Sequence, residues 1–232
     1  MNSTSSFYSE KLYPLQDGVL KIVHDLKLPF YLTGGTALSR HYLHHRFSGD
    51  IGLFVNDDNS FQLYVESLIS FLSAEENKLP FRFNHDRTIR ATRTFAQLYI
   101  MDQSSELKID LVDDLPTHYG NFVVSQILGA IDSLENILSI KISALFRFAP
   151  RNYVDIWAIS KKYPCDWKDA LSHAKHKETA VNAGELSNFF RTFPFERLNE
   201  INWIESFDYF NIKEEFSMIA EDIFYGNQNR LA

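Results

Sequence analysis

Residues 31–54 read Tyr-Leu-Thr-Gly-Gly-Thr-Ala-Leu-Ser-Arg-His-Tyr-Leu-His-His-Arg-Phe-Ser-Gly-Asp-Ile-Gly-Leu-Phe, and this stretch decides how the chain is understood. A short apolar strand, Phe30 to Thr33, runs into the Gly34-Gly35 turn. A helix opens directly after it, and a second strand begins beside Asp50. Glycines between a strand and a helix let backbone N–H groups approach an anion, and the helix start adds partial positive charge. A carboxylate at the edge of the next strand can hold a cation against that anion. The pattern therefore points to phosphates held together with a metal. A Gly-Gly turn alone is more often chain punctuation, so the weight rests on the order of turn, helix, strand and carboxylate.

Outward from this stretch, strand-like pieces fall at 51–56, 81–84, 94–101 and 106–112, and helical ones at 36–46 and 60–75. Before it, Leu12, Leu15, Val19, Ile22, Val23 and Leu26 recur at helical spacing. After Pro116 the residues around 134–148, 153–162 and 167–175, and most of 178–226, read as helix. The expected architecture is α+β: a mixed sheet with flanking helices over residues 1–118, then a helical C-terminal part over 119–232. With 232 residues, 45% hydrophobic and 15% aromatic, the chain can bury a real core. A net charge of −7 excludes a protein that coats nucleic acid generally, so any RNA contact must come from a local basic patch. The single cysteine, Cys165, excludes an internal disulfide framework and suits a reducing compartment. The N-terminus lacks a signal-peptide pattern, and no run approaches the ~20 apolar residues of a membrane span. The expectation is a cytoplasmic protein with no membrane contact.

Strand residues alternate between faces, so positions 50, 52 and 54 share one side. In Glu106-Leu107-Lys108-Ile109-Asp110-Leu111-Val112 the apolar residues take one face, and Lys108 and Asp110 take the other. Asp50 and Asp110 can thus converge across neighbouring strands beside the glycine turn. Two such carboxylates plus substrate phosphates suffice for magnesium, which takes only one or two protein carboxylates in such sites. The alternative places Asp110 on the solvated face of an amphipathic strand.

Gly34-Gly35-Thr36-Ala37-Leu38 followed by Arg46-Phe47-Ser48-Gly49-Asp50-Ile51-Gly52-Leu53-Phe54 resembles the nucleotidyltransferase signature of the AbiEii/AbiGii toxin family. Ile109-Asp110-Leu111, the run Lys141 to Arg147, and Arg151-Asn152-Tyr153-Val154-Asp155 are similar to that family's later motifs, so the resemblance spans roughly residues 28–162. It implies a polymerase-beta-like nucleotidyltransferase fold and magnesium-assisted transfer of a nucleotide from an NTP to an acceptor such as tRNA. The setting it implies is a bacterial toxin opposed by an antitoxin protein. Carried over by residue, Asp50 and Asp110 hold the metal, and these two with Lys141 are catalytic. Gly34, Gly35, Thr36, Arg40, Arg46, Ser48 and Asp155 bind the nucleotide. Two departures stand out: Gly52 occupies the place of a second aspartate, and Asn152 replaces an acid. The loss at Gly52 weakens one metal site, which leaves a second reading open: a non-catalytic nucleotide-binding or protein-interaction relative of the same fold.

Leu134, Ile137, Leu138, Lys141, Ile142 and Leu145 place Lys141 within the apolar stripe of a helix. A charge there needs a route to water or a partner, and Asp155 is the candidate partner. The alternative, implied by the resemblance, is contact with NTP phosphates. Arg82, Arg87, Arg90 and Arg93, interleaved with Phe81, Phe83, His85 and Phe95, form the one basic cluster suited to RNA, or else a solvated hairpin face. His41 and His45 make half of a zinc site with no third ligand at a telling spacing. The C-terminal aromatics Phe189, Phe190, Phe193, Phe195, Trp203, Phe207, Tyr209, Phe210 and Phe216 serve as core, or in part as an interface.

Overall fold

A computed structural model describes residues 3–204 and 208–232, apart from the side chains of Arg90 and Ala91. Phe207 and the Arg90 side chain therefore lie outside the described residues. The chain forms two compact units. The first comprises Met1–Ala37, Ser48–His118 and Phe122–Asp132; the second comprises Leu38–Phe47, Tyr119–Asn121 and Ser133–Ala232.

Unit 1 is built on strands β1 (Tyr31–Thr33), β2 (Ile51–Asn56), β3 (Arg82–Phe83), β4 (Ile89–Thr92), β5 (Phe95–Met101), β6 (Glu106–Asp114), β7 (Val123–Ser125) and β8 (Gly129–Ile131). They form one mixed sheet in the order β3-β5-β6-β2-β1-β8-β7, with β4 paired to β5. The β5–β6 pair is antiparallel, β6 and β2 run parallel, and β2 returns antiparallel to β1. The period of two fixes the faces: Ile51, Leu53 and Val55 are buried, as are Leu107, Ile109 and Leu111. The sequence pattern missed β4, β7 and β8, which are three- and four-residue pieces too short to show alternation. Because β8 pairs with β1 through Leu32 and Ile131, residues 122–132 belong with the sheet and not with the helical part.

Among the described residues this unit also carries the α-helices α1 (Ser3–Phe7), α2 (Tyr13–Asp25), α3 (Gly34–Ala37) and α4 (Phe61–Ala74), with a wider helical turn at Tyr8–Leu12 between α1 and α2. On α2 the residues Leu15, Val19, Ile22 and Val23 are buried at helical spacing. Gly18 leaves room for Phe81, whose Cε1 would lie 2.7 Å from a Cβ at that position. On α4, Phe61, Val65, Leu68 and Leu72 are buried, and Phe61 meets Phe30 edge-on at 6.2 Å. Each such side chain contributes about 1.5–3 kcal/mol by leaving water. The helix expected over 36–46 is shorter: α3 passes into a wider turn at Leu38–Tyr42, closed by the Leu43 N–H on the Leu38 carbonyl at 2.8 Å.

Unit 2 carries α5 (Leu134–Ser143), α6 (Pro150–Ser160), α7 (Trp167–Lys177), α8 (Ala183–Arg191) and α9 (Tyr209–Tyr225). Side-chain caps set the starts of α5, α7, α8 and α9: Ser133, Asp166, Asn182 and Asp208 accept from the first-turn N–H groups. Pro150 opens α6, and Gly226 in the left-handed region closes α9. The aromatic residues do divide. Tyr153, Phe190, Phe193 and Phe216 are buried against one another at 4.8–5.3 Å, whereas Phe210 is 80% exposed.

Candidate active site

Asp50 stands one residue before β2, and Asp110 lies on β6 in register with Gly52. Their side chains converge on one cation. The Lys108 Nζ lies 3.1 Å from Asp50 Oδ2 and 3.0 Å from Asp110 Oδ2. Lys108 precedes Asp110 by two residues, so the strand period puts both on one face. Partial burial works against the Lys108 charge, but hydrogen bonding and attraction from Asp110 and Asp50 outweigh it and raise its pKa. The other oxygen of Asp110 accepts from Gln97 Nε2 at 2.6 Å, and Gln97 accepts in turn from the Tyr99 hydroxyl at 2.7 Å. Arg87, which pairs with Glu106, stacks over the Tyr99 ring at 4.0 Å. A relay of side chains along β5 thus orients Asp110.

The glycine turn holds the other carboxylate. Gly34 adopts a φ of +69°, a conformation that disfavours a side chain, and open space surrounds the place its Cβ would take. Thr36 follows, buried, and its hydroxyl lies 3.0 Å from Ser48 Oγ while donating to the Asp50 carbonyl. Gln16 donates to the Ser48 carbonyl at 3.0 Å. Thr36 and Ser48 therefore brace the backbone that presents Asp50, and the partly exposed Gly34 and Gly35 are the phosphate-facing candidates of this turn.

Gly52 sits inside a polar row. It pairs with Thr33 on β1 and with Asp110 on β6, and Asp110 pairs with Gln97 on β5. Thr33 donates to the fully buried Asp132 at 2.5 Å, and His118 completes that carboxylate at 2.8 Å. Burial and the Asp132 charge push the pKa of the neighbouring Tyr31 phenol up. A Cβ at position 52 would meet Phe54 Cε1 at 3.5 Å and Thr33 Cγ2 at 3.7 Å, ordinary contact distances. The row has space for a Cβ at the position Gly52 occupies.

The remaining predicted residues lie in unit 2. Arg40 is half-buried on the Leu38–Tyr42 turn. Arg46 grips Asp155 with two bonds of 2.7 Å, Lys141 Nζ reaches its Oδ2 at 2.7 Å, and His45 Nε2 lies 2.9 Å from Oδ1. Asp155 has no exposed surface. Burial opposes its charge, but Arg46, Lys141 and His45 overcome that and hold its pKa well below the ordinary carboxylate value. Burial dominates the partners and lowers the pKa of both Lys141 and His45, although Asp155 acts the other way. Asp155 is thus the partner the Lys141 stripe required, and the His41/His45 pair is not free, since His45 is engaged here. Asn152 donates to the Ala144 carbonyl at 2.9 Å, a backbone bond inside the same unit.

The sequence also matches the profile of a known family, the nucleotidyl transferase AbiEii toxin of type IV toxin–antitoxin systems, over residues 20–228. The chain belongs to the AbiEii family. The match runs past the 28–162 motif region on both sides, so the C-terminal helices through all of α9 are AbiEii sequence as well. Among solved structures the fold is similar to JHP933 from Helicobacter pylori, at a TM-score of 0.61 and 18% identity over 92% of this chain and 90% of that one. It is equally similar to a second H. pylori chain, provisionally named a nucleotidyltransferase, at 0.61 and 17% identity over 97% and 96%. No curated protein matches the sequence.

Three features escaped sequence reasoning on this AbiEii chain. Lys108 was visible on the face of Asp110, but its bridge to Asp50 depends on strand order. The pairing of Arg46 and His45 with Asp155 joins positions 109 and 110 residues apart. Asp132 follows a strand too short to detect. Among the described residues no helix is long and apolar enough to cross a membrane, and no group of three or more His, Cys, Asp or Glu residues is arranged to hold a metal ion.

Proposed function

We propose that this AbiEii-family chain is a cytoplasmic bacterial toxin that binds an NTP with magnesium and transfers a nucleotide to an RNA acceptor, tRNA being the first candidate. The observation that carries the reading is the convergence of Asp50 and Asp110 on a single cation at 3.0–3.1 Å. Hard oxygens from two rigid strands, sharing one positive charge, are the donor set a magnesium ion takes when phosphates and water complete its shell. The residues fit one such ion. When bound it supplies charge neutralisation at the phosphoryl oxygens.

The chain's own residues do the rest by position. Gly34 and Gly35 offer backbone N–H groups to the triphosphate, and Thr36 and Ser48 keep Asp50 fixed beside them. Transfer joins an acceptor hydroxyl oxygen to the α-phosphorus and breaks the α–β bridging bond, releasing pyrophosphate. Arg46, Lys141 and Asp155 anchor segment 38–47, which in sequence joins the glycine turn to Asp50. Lys141 reaches a phosphate only by exchanging Asp155 for it.

Gly52 favours a second reading, a relative that binds nucleotide without transferring it. Incubation with each labelled NTP, magnesium and total tRNA separates the two. Label transfer by the chain as it stands, lost in Asp50→Asn and Asp110→Asn, supports the enzyme. Transfer only by Gly52→Asp, a substitution whose Cβ meets only ordinary contacts, supports the non-catalytic relative.

A further inference from the structure

Two carboxylates facing each other on one strand face repel unless a cation lies between them. Here that cation belongs to the chain. Lys108 contacts both Asp50 and Asp110 at ion-pair distance: its i−2 spacing puts it on the face of Asp110, and the pairing of β6 with β2 brings it to Asp50. Gly52 supplies no further carboxylate to the row, so one ammonium leaves the trio with a net charge of only about −1. A divalent ion approaching this trio meets a positive charge already in place. The side chain is 28% exposed on a flexible four-carbon stem, so it can swing to water without breaking a buried contact.

We propose that Lys108 is a tethered occupant of the metal position, a cation that a divalent ion must displace. The inference rests on the proposed function, since it takes Asp50 and Asp110 as the metal carboxylates. It adds an order of events: metal binds weakly to the free protein and firmly only together with a nucleotide, whose phosphates receive the released ammonium. Gly52 and Lys108 then act in one direction, the first removing a ligand and the second guarding those that remain.

Manganese titration followed by the paramagnetic signal of the free ion tests this without any turnover. The proteins are the wild type, Lys108→Met and Lys108→Gln, each checked for folding by circular dichroism, with Asp50→Asn/Lys108→Met as the control. Titrations run with and without a non-hydrolysable ATP analogue. Without nucleotide, both single variants should bind manganese about tenfold tighter than wild type or more, as removal of a like charge a few Å away implies, and the double variant should lose that gain. With the analogue, the difference should shrink. Equal or weaker manganese binding by both single variants overturns the role of Lys108 and leaves the proposed metal site standing. Failure of every protein to bind manganese, with or without nucleotide, removes the metal site itself and the inference with it.

Discussion

Unit 1 and unit 2 each hold a cluster of acids and bases, and the two clusters differ in the property that decides what charge can do. In unit 1, Asp50, Asp110 and Lys108 keep 44%, 27% and 28% of their side-chain surface in water. In unit 2, Asp155 is fully enclosed, with Arg46, Lys141 and His45 nearly so. Solvated ions exchange partners at little cost, because water replaces what is lost. Enclosed ions do not, because breaking one pair leaves an uncompensated charge in a poor solvent. The first cluster is suited to trade a lysine for a metal, and the second to fix segment 38–47 on α6. Residue type alone does not separate these roles; exposure does.

The largest way to break this contrast is Asp155→Ala. It strands Arg46 and Lys141 without their shared carboxylate and should cost about 3–5 kcal/mol of stability in urea melts. Asp50→Asn or Asp110→Asn, at pairs that keep part of their surface in water, should cost about 1 kcal/mol in the same melts while abolishing manganese binding. Similar losses at both places would mean that burial does not distinguish the clusters. A folded Lys141→Met that loses nucleotide affinity while keeping its melting midpoint would move Lys141 from anchor to phosphate contact.

A smaller effect sharpens the account of unit 1. Thr36→Val keeps the shape but removes the hydroxyl that ties Ser48 to the Asp50 carbonyl. It should destabilise the fold by about 1 kcal/mol, the net worth of a typical hydrogen bond. If Thr36 braces Asp50, manganese affinity should fall with it. Unchanged affinity would make Thr36 a packing residue only.

Much of unit 1 was legible because strand alternation is local. The face shared by Lys108 and Asp110, the parity of Asp50 and Gly52, and the glycine turn all follow from spacings of a few residues. The partner of Lys141 was legible too, since a lysine among Ile137, Leu138 and Ile142 demands a counter-charge. The convergence on Lys108 was not, because it needs β2 and β6 to be neighbours, and strand order leaves no mark on local pattern. Nor was the grip of Arg46 on Asp155. Arg46 stands just before Ser48 and Asp50 in the motif, which suggests a phosphate contact, but the chain divides between them and sends residues 38–47 to the other unit. The hairpin at 122–132 was missed for the opposite reason, as its strands are too short to carry a period.

The smallest prediction concerns pH and isolates one member of the buried cluster. Enclosure lowers the His45 pKa below its ordinary value of 6.5, the carboxylate of Asp155 notwithstanding. As pH falls from 6.5 through the folded value, the unfolded chain takes a proton that the folded chain refuses. Stability is therefore lost in that window, and it levels off once the folded ring protonates too. His45→Gln keeps a polar side chain and removes the titration, so its melting midpoint should depend less steeply on pH between 6.5 and 5 than that of wild type. Other histidines contribute equally to both proteins and cancel in the difference. A steeper wild-type fall that disappears in His45→Gln shows that the ring is held neutral inside the cluster. Parallel curves would mean that it gains its proton as readily folded as unfolded, and that the cluster is as open to water as the one in unit 1.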